Sequence, residues 1–145
     1  GSSNMAHSLI IGSAHYGCEI VVATPAELLP DAGVLTIAAR LGARVTITQD
    51  ARAAAKNADV LYTDVWVSMG QEKEAELKKK LLGPYQLSEE LLSLASKNAI
   101  VLHCLPARKG EEITEGAFES PNSRIFDQAE NRLHAQKALL EFLLK

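Results

Sequence analysis

Aromatic residues are scarce in this 145-residue chain, at 5% with a single tryptophan, and cysteine is scarcer still, with only two. Cys18 and Cys104 stand far apart without metal-type spacing, which excludes a disulfide scaffold and a cysteine metal site. A reduced, cytoplasmic setting is expected. Long apolar runs are missing as well. None approaches the roughly 20 residues of a membrane span, and no signal-peptide pattern is visible. There is no excess of positive charge: 15 Lys and Arg face 18 Asp and Glu, for a net charge of −3. A nucleic-acid partner, which needs a basic face, is therefore not expected. The one basic run, Lys78-Lys79-Lys80, follows Glu72, Glu74 and Glu76. Glu74 with Lys78 and Glu76 with Lys80 are helical i,i+4 pairs, so this run reads as a solvated helix face.

What is present is ordinary globular composition, 47% hydrophobic and 23% charged, enough for one domain with a real core. Short β-branched runs alternate with helical segments. Met5 to Tyr16 spaces its apolar residues on one helix face, stopped by Gly17. Glu19 to Pro25 reads as a buried strand, and Asp31 as the N-cap of a helix running to Leu41 and ended by Gly42. Arg44 to Thr48 and Asp59 to Val65 are strands, with an alanine-rich helix from Ala51 to Asn57 between them. Ser68 to Tyr85 breaks the rhythm and reads as a mobile excursion. Ser88 caps a helix to Ser96, Ala99 to Leu102 is a fourth strand, and Ile113 to Phe118 a short helical turn. Arg124 to Phe126 reads as extended. Ala129 to Leu144 closes the chain as a helix whose apolar face carries Leu133, Ala135, Ala138, Leu139, Phe142 and Leu143. This order predicts an α/β fold: a doubly wound, Rossmann-like parallel sheet with helices on both faces. The chain opens on a helix where such a unit normally opens on a strand. A single domain truncated of its first strand is the expectation, with Gly1-Ser2-Ser3 a tag or linker and residues 4–145 the domain. In a sheet of order 3-2-1-4-5 that strand is central. Either its two neighbours pair directly, or chains associate through exposed edges.

The chemistry gathers in three clusters. His103-Cys104-Leu105-Pro106-Ala107 follows the apolar run Ala99-Ile100-Val101-Leu102 and so sits at the carboxyl end of a strand. In open α/β sheets ligands bind at that edge. Asp64-Val65-Trp66-Val67-Ser68-Met69-Gly70 and Glu130-Asn131-Arg132 are positioned to converge there. An amino-acid site needs a carboxylate for the α-ammonium and donors for the α-carboxylate. Asp64 and Ser68 suit the first task, although both residue types also favour turns and caps. Asn4 offers a donor and an acceptor, and equally a helix N-cap. A lone cysteine is commonly inert and buried, but His103 beside Cys104 favours a thiolate or a strongly hydrogen-bonding thiol. His7, His15 and His134 show no metal pattern, and no metal or cofactor is expected.

Together with Asn4-Met5-Ala6-His7-Ser8-Leu9 and Ala23-Thr24-Pro25, these clusters occur in the order found in a known family. From Asn4 onward the chain resembles the ornithine-binding domain of the ornithine carbamoyltransferases. Aspartate-specific relatives carry proline where Cys104 stands and lack the Ser-Met-Gly loop. The resemblance implies carbamoyl transfer from carbamoyl phosphate to the δ-amine of L-ornithine, giving citrulline and phosphate. It implies Asp64 and Ser68 at the α-ammonium, Asn4 at the zwitterionic end, and Met69 with Gly70 on a lid. It places Cys104 and the Leu105 carbonyl by the δ-amine, with His103 in the same substrate-binding strand end. Arg132 goes to the carbonyl oxygen as the tetrahedral intermediate forms, its bland alternative being a surface ion pair with Glu130 or Asp127. Carbamoyl phosphate would require the missing domain and its Ser-Thr-Arg-Thr segment, which this sequence lacks. The expectation is thus an inactive half with a partial ornithine site, from a parent enzyme that is homotrimeric by the same resemblance. Two alternatives stand beside it: a folding unit without measurable binding, and a domain of a putrescine or acetylornithine carbamoyltransferase.

Overall fold

The computed structural model of the chain describes residues 1–67 and 75–145. Helix α1 (Asn4–Tyr16) begins at Ser3, whose hydroxyl accepts from the Ala6 amide (3.2 Å). It ends at Gly17 in the left-handed region, φ 67°, where glycine meets no Cβ penalty. The Gly1 amine donates to the Thr24 hydroxyl (2.8 Å), which seats residues 1–3 against the body. Strand β1 (Glu19–Ala23) is followed by α2 (Ala32–Arg40), whose N-cap Asp31 accepts from Gly33 and Val34. Strand β2 (Arg44–Thr48) and α3 (Ala51–Ala55, capped by Asp50) lead into β3 (Val60–Thr63).

Past the undescribed residues, α4 (Ala75–Leu82) and a 3-10 turn at Gly83–Tyr85 occupy much of the stretch read as an excursion. Lys79 ties α4 to Glu111 (2.9 Å). Glu74 lies outside the described residues. Helix α5 (Glu89–Leu94) starts at Ser88 as expected, and β4 (Ile100–His103) and α6 (Glu115–Phe118) follow. Helix α7 (Ile125–Leu143) begins four residues before the expected start. β-branched and aromatic side chains make Arg124-Ile125-Phe126 look extended, but tertiary burial overrides that local preference: Ile125 is wholly buried and roots the helix in the core.

Parallel strands lie in two separate pairs, β1 with β2 and β3 with β4. The predicted parallel α/β class therefore holds, whereas direct pairing of β1 with β3 is not seen. Among the described residues each of these two strands has a single strand partner. The two pairs are joined through α3 and α5: Asn57 donates to the Leu94 carbonyl, and Arg52 pairs with Glu90. The core lies under β4, where Leu87, Val101, Ile113, Ala117, Phe118 and Ile125 pack together. The apolar face read on the closing helix is real but uncovered: Leu133 is 66% exposed and Leu140 59%. Stability should divide accordingly. Ile125→Ala is expected to cost about 2–5 kcal/mol through the cavity it leaves. Leu140→Ala should change stability by less than about 0.5 kcal/mol. Urea unfolding of the two variants checks the contrast, and equal losses would contradict this division.

Candidate active site

The register of β3 and β4 builds the centre of the site. Thr63 is paired with His103, so the next residues, Asp64 and Cys104, emerge side by side from adjacent parallel strands. They are 40 positions apart in sequence, and the Cys104 thiol donates to Asp64 Oδ1 at 3.0 Å. Alternation along a strand puts Tyr62 on the same face as Asp64. The Tyr62 hydroxyl accepts from Gln128 Nε2 (3.1 Å), and Gln128 Oε1 accepts from the His103 amide (3.0 Å). Gln128 thereby ties α7 to the ends of both strands. Arg132, one helical turn further on, shares its face of α7.

These contacts govern protonation. Burial, with the Asp64 hydrogen bond and charge next, pushes the Cys104 thiol up to about 11. Burial likewise pushes Tyr62 up to about 12. Cys104 is therefore a neutral donor near neutral pH: of the two forms expected beside a histidine, it takes the hydrogen-bonding thiol and not the thiolate. His103 explains why. Its ring turns into the protein, where its side chain is fully buried. Nδ1 accepts from the Leu105 amide (2.8 Å) and Nε2 lies 3.1 Å from Glu112 Oε1. Neither ring nitrogen is left for the thiol or a ligand, so its expected place among substrate-binding residues is corrected to one inside the wall.

Leu105 takes φ 57° and is followed by a cis peptide to Pro106. For a side chain with a Cβ, that left-handed conformation costs on the order of 1–2 kcal/mol, and the bond to His103 offsets it. Among the described residues the Leu105 carbonyl accepts no hydrogen bond. Leu105, Cys104, Pro106, Phe118, Arg132 and Leu133 are among the residues lining a cleft of about 790 Å³. Lys109, also on its rim, is engaged by Glu119 (2.5 Å) and lies over the Phe118 ring (4.7 Å). Arg132 differs: among the described residues it has no acidic partner. Its two candidate partners are taken, Asp127 by Arg124 (3.8 Å) and Glu130 by His134 (3.7 Å).

Asp64 takes the turn role that its residue type favours. Oδ1 accepts from Val65 as in a turn (2.8 Å) and from Cys104, while Oδ2 has no partner among the described residues. Asn4 is exposed at the first position of α1. Ser3 takes the cap, and Asn4 does not line the cleft. Ser68, Met69 and Gly70 lie outside the described residues. Three residues of the network went unread in the sequence. Tyr62 and Gln128 were signalled by spacing, two before Asp64 on a strand and four before Arg132 on a helix. Nothing signalled Glu112, because a Lys-Gly-Glu-Glu run looks uniformly exposed. Among the described residues no group of acidic, cysteine or histidine side chains is arranged to hold a metal ion.

The parallel α/β domain thus presents, beside one cleft, a carboxylate, a neutral thiol and an arginine that has no acidic partner among the described residues. The chain belongs to the aspartate/ornithine carbamoyltransferase family: the model of its Asp/Orn binding domain matches residues 1–143. The ornithine carbamoyltransferase of Hyperthermus butylicus is 51% identical over 99% of this chain and 47% of its own length. The solved ornithine carbamoyltransferase from Pyrococcus furiosus is 48% identical, with a TM-score of 0.88 over 96% of this chain and 46% of that one. The anabolic enzyme from Campylobacter jejuni gives a TM-score of 0.92 at 41% identity, over 98% of this chain and 48% of that one. The chain thus spans about half the length of the relatives it matches.

Proposed function

We propose that this chain is the ornithine-binding half of an ornithine carbamoyltransferase. The reading rests above all on the hydrogen-bonded Asp64–Cys104 pair at the ends of two adjacent parallel strands. Asp64 Oδ2, turned to no other group among the described residues, takes the α-ammonium of L-ornithine. A free ammonium suits that carboxylate, whereas an acetylated amine brings no charge and putrescine has no α-carboxylate to orient. The Leu105 carbonyl accepts from the uncharged δ-amine. The δ-nitrogen attacks the carbamoyl carbon, the bond from that carbon to the phosphate oxygen breaks, and the proton of the amine passes to the departing phosphate. Arg132 supplies a fixed positive charge to the carbonyl oxygen as negative charge develops on it. Cys104 acts as a neutral donor in that reaction and forms no covalent adduct. Positioning and charge stabilisation carry such a transfer because carbamoyl phosphate is already activated.

Carbamoyl phosphate is the substrate that the other half of the enzyme binds, so the isolated chain yields no citrulline. We propose further that the whole enzyme is a homotrimer, as the resemblance implies, and that it works in the cytoplasm, in keeping with two free cysteines. An L-ornithine titration followed by amide chemical shifts tests the proposal. Saturable shifts around Asp64, Cys104 and Arg132, abolished in Asp64→Ala, are expected. A folded chain whose shifts do not move at millimolar ornithine would leave it a scaffold without a working site.

A further inference from the structure

Behind the cleft wall, among the described residues, His103 and Glu112 form a polar pair whose side chains are both fully buried. We infer that Glu112 is a positioning residue: through His103 it fixes the backbone of Leu105 on the cleft wall. The inference rests on the proposed role of Leu105 at the δ-amine.

The chain of contacts runs in one direction. Glu112 Oε1 accepts from the Arg108 amide (2.6 Å), which fixes the carboxylate from the far side of the Arg108–Glu112 turn. The backbone carbonyl of Glu112 accepts from Leu87 (2.9 Å), anchoring that turn to the core. The same Oε1 faces His103 Nε2 at 3.1 Å. A carboxylate only accepts, so Nε2 must carry the ring proton. Nδ1 is then the bare nitrogen, and it is the one that receives the Leu105 amide at 2.8 Å. The opposite tautomer would set an Nδ1 proton against the Leu105 amide proton and a bare Nε2 against the carboxylate. One buried carboxylate thus selects the tautomer, and the tautomer selects the left-handed Leu105. Among the described residues Glu112 Oε2 is buried without a hydrogen-bond partner. Here the single committed oxygen is the one that orients the ring.

The test needs no ligand for its first arm. Long-range proton–nitrogen correlation of the His103 ring in this chain is expected to show a protonated Nε2 and a bare Nδ1. Glu112→Gln, whose Oε1 still accepts, should keep both that pattern and slow exchange of the Leu105 amide. Glu112→Leu should lose the pattern and speed Leu105 exchange about tenfold. Should Glu112→Leu not fold, His103→Gln, which keeps a donor toward Glu112 but withdraws the Nδ1 acceptor from Leu105, is expected to give the same faster Leu105 exchange. A protonated Nδ1 in the unaltered chain overturns the inference. So does unchanged Leu105 exchange in the folded variant, or a Gln variant as impaired as the Leu variant. The second arm is L-ornithine affinity, expected to weaken about tenfold in Glu112→Leu and to be restored in Glu112→Gln. Unaltered affinity alongside lost Leu105 protection overturns the link from Leu105 to ligand. A correct tautomer in a chain that binds no ornithine instead removes the proposed function.

Discussion

Cys104 is expected to react with iodoacetamide at pH 8 about a hundredfold more slowly than an unperturbed thiol, because the thiolate is the reacting species. Burial, and after it the Asp64 carboxylate, raises this thiol from 9.0 to about 11. Each unit of that rise removes a factor of ten of thiolate below the pKa. A Cys18→Ser background isolates the site, since Cys18 is exposed and would react on its own account. The sign follows from the partner's charge. A carboxylate accepting from the thiol stabilises the protonated form, so the rate should climb with pH until about 11 and level off there. Asp64→Asn removes the negative charge, lowers the thiol and speeds alkylation at pH 8. A rate at pH 8 matching a free thiol would mean that Cys104 is ionised in the folded chain. The donor role would then give way to a nucleophilic one.

Much of this arrangement was legible in the sequence because its parts obey local rules. Asp31 and Ser88 cap their helices as their side-chain chemistry demands, and Gly17 takes the positive φ that stops α1. The strand runs ending in Asp64 and in His103-Cys104 were recognisable, and parallel pairing then brought the two clusters together. The orientation of His103 was not legible. Adjacency in sequence suggests that it activates Cys104. In a strand, however, successive side chains leave opposite faces, so neighbours in sequence are partners only when a third group turns one toward the other. Here the third group is Glu112, which turns His103 away. The start of α7 was misread for a related reason: what decides it is the burial of Ile125, a property of the packed core. The uncovered face of α7 is likewise invisible to local pattern. An apolar stripe reads the same whether or not anything lies against it.

The second large effect concerns stability. His103→Ala should lower the unfolding free energy at pH 7 by about 3 kcal/mol, the upper range for taking the donor away from a buried acceptor, here one that is charged. Only the amide bond from Arg108 would remain to the wholly buried Glu112 carboxylate. Against a typical total of about 5–15 kcal/mol, that loss is a large fraction of what holds the domain folded. The pH dependence separates this cause from simple loss of packing. Burial alone would raise Glu112, but hydrogen bonds from His103 and the Arg108 amide outweigh it and hold the carboxyl below its ordinary 4.5. A group lowered in the folded state contributes stability above its unfolded value, and that contribution is lost as pH falls from about 4.5 through the lower folded value. In the alanine variant burial prevails and Glu112 rises instead. Its folded form then takes up a proton more readily than its unfolded form, so acidification toward 4.5 recovers stability. The gap between the two proteins is therefore widest at neutral pH and narrows on acidification. Urea unfolding of both at pH 7 and pH 5 measures it. A gap that stays constant between those two conditions would assign the loss to the vacated volume of the imidazole, and His103 would then be a packing residue with no electrostatic hold on Glu112.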